Sequence, residues 1–404
     1  MSITFADIER AGRTIAGTVL HTPTVMAPAL SVAAGTDIRL KLECLQPTAS
    51  FKVRGAANKI AALVADGGAR GVVACSAGNH AQGVAYHADR HGLAATIVMP
   101  RGTPFTKIER TSALGARVVL EGDTLVEAEA HAHALADRDG LTFVHPYDDA
   151  AVIAGQGTVA LEMLADAPGL DCLVVPVGGG GLIAGMAVAA KAMKPGIVII
   201  GVEAANYPSM AMALRGETPA VGGDTLAEGI AVKTPGRLTL PIVRDLVDEV
   251  VLVDEEAIEE AVDRMADAAC IVAEGAGAAG LAAVLDRPER FTGRSVGLVV
   301  SGGNIDHRVL ASVLLRGLVR GGRLVRLRVQ ISDAPGNLAR VTRVIGDAGG
   351  NIVEIVHQRL FHDVPVKQAD VDAVVETRSR AHGEDIRARL EAAGFATRIM
   401  ETTG

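Results

Sequence analysis

Apolar residues in this chain fall into two patterns: short continuous runs, and longer stretches where they recur at helical spacing. After an N-terminal helix and extended segment in residues 1–40, strands are predicted at 38–43, 71–76, 95–99, 117–120 and 142–145. Helices are predicted between them, from Lys52 through Ile60 and at 84–91, 106–114 and 125–138. The alternation resumes with helix 158–164, strand 172–177, helix 182–193, strands 197–202 and 249–253, a long helix ending near Cys270, and strand 296–300. Strands separated by helices of this length predict open parallel α/β sheets. Residues 217–235, rich in Gly and Pro, read as an irregular excursion. The pattern changes at 316–326, where Arg and Gly dominate and a linker is predicted. Beyond it, strand 325–331, helix 338–348, strands 351–360 and 371–376, helix 384–393 and strand 396–400 follow in βαββαβ order. That order gives a small α+β sheet with both helices on one face. The expected division is a large region 1–320 and a separate module 321–404.

Composition narrows this picture. A chain of 404 residues has material for two or three domains. With 49% apolar residues, 2% aromatic and no Trp, its cores must be built from Ala, Val, Leu and Ile, as suits parallel sheets covered by helices. The net charge of -8 is spread without long runs of one sign, so there is no nucleic-acid footprint. Small molecules and further copies of the chain are the expected partners. The uncharged run 173–190 reaches membrane-span length. It contains Pro176 and four consecutive glycines, which a lipid-exposed helix tolerates poorly, so a strand, a loop and a buried helix are expected and no membrane span. Cys44, Cys75, Cys172 and Cys270 show no C-x-x-C spacing and read as reduced and buried, in a cytoplasmic protein. Charges in the first ten residues argue against a secretory signal.

Four stretches carry candidate chemistry. Lys52 follows Thr48, Ala49, Ser50 and Phe51 and opens a helix. A lysine among small and apolar neighbours is partly desolvated, which disfavours the ammonium form and yields a nucleophilic amine. A solvated helix lysine is the alternative. Gly178, Gly179, Gly180 and Gly181 lie between a buried strand and a helix start, where backbone N–H groups and the helix N-terminus can receive a phosphate; a tight turn without a ligand is the alternative. Ser76-Ala77-Gly78-Asn79-His80 ends another strand, where open α/β sheets place ligands, and could hold a carboxylate or act as a helix cap. Ser301-Gly302-Gly303-Asn304, at a third strand end, offers a neutral hydroxyl.

In this order, the stretches Pro-Thr-Ala-Ser-Phe-Lys-Val-Arg-Gly, Ser-Ala-Gly-Asn-His-Ala-Gln-Gly, Val-Gly-Gly-Gly-Gly-Leu and Ser-Gly-Gly-Asn resemble the fold type II pyridoxal-phosphate enzymes. Within them, the chain is similar over nearly its whole length to the threonine ammonia-lyases with a C-terminal ACT-type domain. The resemblance implies two tryptophan synthase β-like sheets, with a smaller cofactor and substrate subdomain at about 45–150, and pyridoxal 5'-phosphate as cofactor. It makes Lys52 the Schiff-base lysine, Phe51 a ring-packing neighbour, and Asn79 the partner of the cofactor's 3-hydroxyl. Gly178 to Gly181 with Leu182 would hold the phosphate and Ser301 the pyridine nitrogen. Glu274 would lie near the ring or the lysine, and Ser76, Ala77, Gly78, Asn79 and His80 would bind the substrate carboxylate. The implied reaction is β-elimination of water from L-threonine, giving 2-oxobutanoate and ammonia, with some activity on L-serine. Serine dehydration, racemisation and an inactive amino-acid sensor are the alternatives.

Two positions bear on relatives within the family. Serine racemases carry a second hydroxyl where this chain has Ala77, and a methyl group does no acid-base work, so racemisation is expected to be minor. Family members that bind a divalent cation use a glutamate at the position of Glu203, with a carboxylate six residues on. Here that helper is Ser209, so no metal site is expected and Glu203 also reads as an exposed strand-end charge. In the C-terminal module, Asp333, Gly336, Asn337 and Leu338 lie in the loop where the ACT-type fold would receive an amino-acid effector, with isoleucine or valine implied. The alternative role is pairing of subunits in a homodimer or homotetramer.

Overall fold

The computed structural model describes residues 3–358 and 367–400. Two compact units divide the chain, Met1–Ile305 and Asp306–Gly404. The first holds β1 (Thr24–Met26), β2 (Asp37–Leu42), β3 (Val72–Cys75), β4 (Ala95–Met99), β5 (Arg117–Leu120), β6 (Thr142–Phe143), β7 (Cys172–Pro176), β8 (Val198–Ala204), β9 (Glu249–Val253) and β10 (Ser295–Val300). A smaller sheet, in order β5-β4-β3-β6, is parallel throughout. The larger one runs β1-β2-β10-β7-β8-β9. It departs from the expected all-parallel sheet at its edge, where β1 pairs antiparallel to β2. Only the short helix Pro28–Ala34 joins the two, a connection that reverses the chain instead of crossing the sheet. Residues of β7 are buried without exception, and those of β10 nearly so, which is why these strands read as unbroken apolar runs.

Helix crossings bring the lysine stretch onto the larger sheet. The helix Lys52–Ala65 packs on the helix Ala150–Asp166, which packs on Gly181–Met193. Glycines let the backbones meet: a Cβ on Gly155 would lie 2.6 Å from the Arg54 carbonyl oxygen, and one on Gly185 would lie 2.3 Å from that of Ile153. The Ala150–Asp166 helix starts well before the predicted 158–164 because Asp149 caps it, accepting from the N–H groups of Ala151 and Val152. The run 173–190 is a strand, a loop and a buried helix, and among the described residues no helix is long and apolar enough to cross a membrane.

The second unit begins with a helix, His307–Arg320, capped by Asp306. This corrects the expected linker at 316–326 and the boundary at 320: only residues 321–323 separate the helix from β11 (Leu324–Ser332). Val313 is the only fully buried residue of this helix; the others are exposed or half-buried. With β12 (Asn351–Gln358), β13 (Gln368–Glu376) and β14 (Ala396–Met400), an antiparallel sheet forms in order β12-β13-β11-β14. Helices Asn337–Asp347 and Arg380–Ala392 share its core with Leu327, Val329, Val371 and Val375. The end of the strand predicted at 351–360 lies outside the described residues.

The four cysteines are free, but only Cys172 is buried; Cys44 and Cys75 are half-buried and Cys270 is exposed, which corrects the expectation of four buried thiols.

Candidate active site

Lys52 is the first residue of its helix and half-buried, with Nζ 2.9 Å from the carbonyl oxygen of Pro146 and 5.2 Å from the centre of the Phe51 ring. Loss of solvent pushes its amine down to about 8, against a smaller upward pull from Glu274. The lysine is thus a poised amine rather than a solvated surface charge. Its loop is zipped to the Ser301 loop: Phe51 N–H donates to Ser301 O at 3.0 Å, and Gly303 N–H to Ala49 O at 2.9 Å. Ala49 holds the left-handed φ of 53° that this turn requires. The Ser50 and Thr48 hydroxyls are buried there without a hydrogen-bond partner among the described residues.

The four glycines connect β7 to the helix Gly181–Met193, with Gly180 at φ 91°. The Gly179 carbonyl accepts from the Thr239 hydroxyl at 2.7 Å and from Gly236 N–H at 3.1 Å. Across the planar peptide, the Gly180 N–H therefore points the opposite way. The Tyr147 ring lies on the cradle: a Cβ at Gly179 would sit 2.3 Å from it. Since Pro146 precedes Tyr147, one short segment links the lysine amine to the glycine loop. Leu182 is buried beneath the loop. Gly179→Ala is expected to drive the ring out of place and weaken phosphate retention about tenfold or more, read as the half-saturation point when cofactor-free protein is titrated with pyridoxal phosphate.

Asn79 begins the helix Asn79–Arg90, after Gly78. Its Nδ2 donates to Glu274 Oε1 at 2.7 Å, and its Oδ1 accepts from Asn304 Nδ2 at 2.7 Å. Burial raises the Glu274 carboxyl to about 7, with Asn79 working against that rise. Ser301 is buried at the end of β10. Lys52, Asn79, Glu274 and Ser301 are therefore neighbours; Ser76, Ala77 and Gly78 form the turn that leads into Asn79, with the Gly78 N–H donating to the Ser76 hydroxyl at 3.2 Å. His80 is different. Its ring turns into the core, with Nε2 2.8 Å from Val144 O, and burial, helped by Lys52, pushes its imidazole down to about 3. A neutral, inward ring leaves only the His80 backbone for the loop. In the sequence, Tyr147 carries no signal of a site, and Asn304 carries only its place in Ser301-Gly302-Gly303-Asn304.

Two residues from Lys52, Arg54 is fully buried. Its guanidinium takes both oxygens of Glu43 at 2.7 Å and both of Glu162 at 2.7 Å. Lys41, also buried, reaches Glu162 at 2.6 Å and Thr22 O at 2.6 Å. Two cations and two carboxylates thus balance behind the reactive helix.

These features match one set of known proteins. A family model described as pyridoxal-phosphate dependent enzyme matches residues 15–302. The chain belongs to the pyridoxal-phosphate-dependent enzyme family. It is 46% identical over 400 residues to an L-threonine ammonia-lyase of Thermotoga maritima, covering 98% of this chain and 100% of that one. Among solved structures, it is similar to the processed form of threonine deaminase isoform 2 from Solanum lycopersicum, with a TM-score of 0.72, 37% identity and coverage of 78% of this chain and 87% of that one. It is also similar to maize serine racemase, with a TM-score of 0.74, 34% identity and coverage of 79% and 99%. The site fits the family's cofactor: a desolvated amine, a glycine loop packed so closely by Tyr147, Val232 and Met210 that it admits no Cβ, and buried hydroxyls without partners among the described residues.

Glu203 is not the exposed charge that its place at a strand end suggested. It is fully buried and accepts from the N–H groups of Met210 and Ala211 at 2.7 and 2.9 Å, and from the Ser209 hydroxyl at 3.3 Å. It caps the helix Ser209–Leu214, and burial raises its carboxyl to about 7. In the second unit, Gly336 takes φ 89° and the Asn337 amide is engaged by Ser332, at 2.7 Å to its hydroxyl. Asp333 N–H donates to Lys367 O at 2.9 Å, and Leu338 packs on the core.

Proposed function

We propose that this chain deaminates L-threonine to 2-oxobutanoate and ammonia, with L-serine as a second substrate. The observation that carries this reading is the full-length 46% identity to an L-threonine ammonia-lyase, supported by a site with a desolvated lysine beside a glycine loop. Pyridoxal phosphate, when bound, supplies the electron sink that makes the substrate's Cα proton removable. In the proposed arrangement Lys52 would hold the cofactor covalently, the N–H groups of the Gly178 to Gly181 loop and Leu182 its phosphate, and Asn79 its 3-oxygen. Phe51 would pack beside the ring. Once freed, the Lys52 amine, its charged form disfavoured by loss of solvent, would take the Cα proton in its neutral state. Ser301 would face the pyridine nitrogen with a neutral hydroxyl, which does not hold that nitrogen protonated as a carboxylate would; weak delocalisation favours loss of the β-hydroxyl over transamination. Backbone N–H groups from Ser76 to His80, at a helix start, would receive the substrate carboxylate. Ala77 offers no hydroxyl for a second proton transfer, so racemisation is expected to be minor despite the similarity to a serine racemase.

We place the enzyme in the cytoplasm, where its free thiols stay reduced, as a homodimer or homotetramer. The second unit, with its βαββαβ order, is read as an ACT-like regulatory domain that receives isoleucine or valine at Asp333, Gly336, Asn337 and Leu338. The test is release of 2-oxo acid from L-threonine and L-serine, with and without isoleucine, valine and AMP. Threonine should turn over faster, because one methyl group in a pocket is worth about 1–3 kcal/mol. Inhibition by isoleucine would support a biosynthetic role. Turnover without any effect of isoleucine or valine would remove the regulatory assignment, and no turnover of either substrate would remove the activity.

A further inference from the structure

We infer that Asn304 is a positioning residue that sets which way the Asn79 amide faces. Its consequence for the cofactor rests on the proposed role of Asn79, but the hydrogen-bond argument does not. A backbone carbonyl can only accept, so the Asn304 atom 2.8 Å from Thr48 O is the Nδ2 amino group. The same Nδ2 lies 2.7 Å from Asn79, so the Asn79 atom facing it is Oδ1. Asn79 therefore turns its amino group to Glu274, with Nδ2 2.7 Å from Oε1. One N–H of that amino group goes to Glu274 and one is left over, aimed by the rest of the chain. All three hydrogen bonds originate in amide N–H groups and end on oxygens, and the order is fixed from the Thr48 end.

The backbone is shaped to bring these four residues together. A Cβ on Gly302 would lie 2.5 Å from Glu274 Oε1 and 3.2 Å from Asn79 Nδ2, and one on Gly277 would lie 2.4 Å from Gly302 O. Glu274 N–H donates to Gly302 O at 3.0 Å, and the Asn304 backbone N–H donates in turn to the Glu274 carboxylate. With Glu274 ionised, a reversed Asn79 amide would set its Oδ1 against a carboxylate with no proton between them. Asn304 prevents that by requiring an acceptor on its own side.

The test reverses the chain. Asn304→Asp replaces the donor by an acceptor of the same shape; Thr48 O loses its donor in either orientation of Asn79, and Asn79 is driven to turn its amino group toward the new carboxylate and its Oδ1 toward Glu274. Glu274→Gln then supplies a donor for that oxygen. Melting temperatures of the full-length protein, cofactor-free and loaded, are expected to show that Glu274→Gln raises the melting temperature in the Asn304→Asp background and does not in the wild-type background. Asn304→Ala provides a second route if Asn304→Asp does not fold: with Asn79 free to reverse, Glu274→Gln should cost less than it does beside Asn304. Additive effects in both backgrounds would overturn the inference. The pH titration of the loaded protein's visible absorbance separates the two readings. A shifted midpoint in Asn304→Asp supports a reoriented amide at the cofactor; an unmoved midpoint with non-additive melting supports the positioning role and counts against Asn79 as the partner of the 3-oxygen.

Discussion

Lys52→Ala is expected to lower kcat for L-threonine by about 10²–10⁴-fold or more, because it removes in one step the covalent anchor of the cofactor and the base. The fold should survive. Lys52 lies at the first position of its helix, and its amine makes one hydrogen bond, to Pro146 O. The pH dependence gives a second readout. In the folded protein the amine titrates at about 8, below its ordinary 10.5. Between those values the unfolded chain holds the proton and the folded chain does not, so the stability of the cofactor-free protein should rise with pH across that window. Lys52→Ala should lack that rise and be relatively more stable below pH 8, as denaturant midpoints at several pH values would reveal. Uptake of pyridoxal phosphate by the cofactor-free wild type should likewise accelerate about tenfold per pH unit and level off above about 8, since only the neutral amine attacks. Retained turnover in Lys52→Ala would place the nucleophile elsewhere.

The site was more legible in the sequence than the path of the backbone around it. Lys52, Asn79, Glu274, Ser301 and the four glycines sit in short motifs whose chemistry depends on local order, and the structure brings those stretches together. What the sequence concealed was where glycine means packing instead of a turn. The stretch from Gly275 to Gly280 alternates Ala with three glycines that weaken its helix propensity, yet it opens the buried helix Gly275–Asp286. A Cβ on Gly275 would lie 2.4 Å from Leu226 O, so the helix exists because tertiary contacts select backbone without side chains. Gly155 and Gly157 masked the first half of another helix for the same reason. Exposure was the other blind spot: Glu203 reads as a surface charge at the end of a strand, while the N–H groups it caps arrive from a helix several residues on. Long-range partners such as Glu43 and Glu162 for Arg54 leave no local trace at all.

Arg54→Ala should be the most destabilising single change near the site, by about 3–5 kcal/mol, because it strands two carboxylates instead of removing a pair. In the wild type, burial alone would raise the Glu43 carboxyl, but Arg54, with Thr22 and Lys41, outweighs that and holds it below its ordinary 4.5. Its contribution is present above 4.5 and is lost as pH falls through the lower folded value. Without Arg54 the sign changes. Burial is then opposed only weakly, Glu43 titrates above 4.5 in the folded state, and the variant should lose stability as pH rises from there. The gap between variant and wild type should therefore widen from acid toward neutral pH, which denaturant melts can follow. Arg54→Lys isolates geometry from charge. An ammonium has three donors and cannot grip both carboxylates side by side, so the helix should fold with its first turn less firmly held. Because Lys52 occupies that turn, Arg54→Lys is expected to lower kcat more than it raises KM and to broaden the visible absorbance of the bound cofactor. A loss of stability in Arg54→Lys with kcat unchanged would confine the buried cluster to holding the fold together.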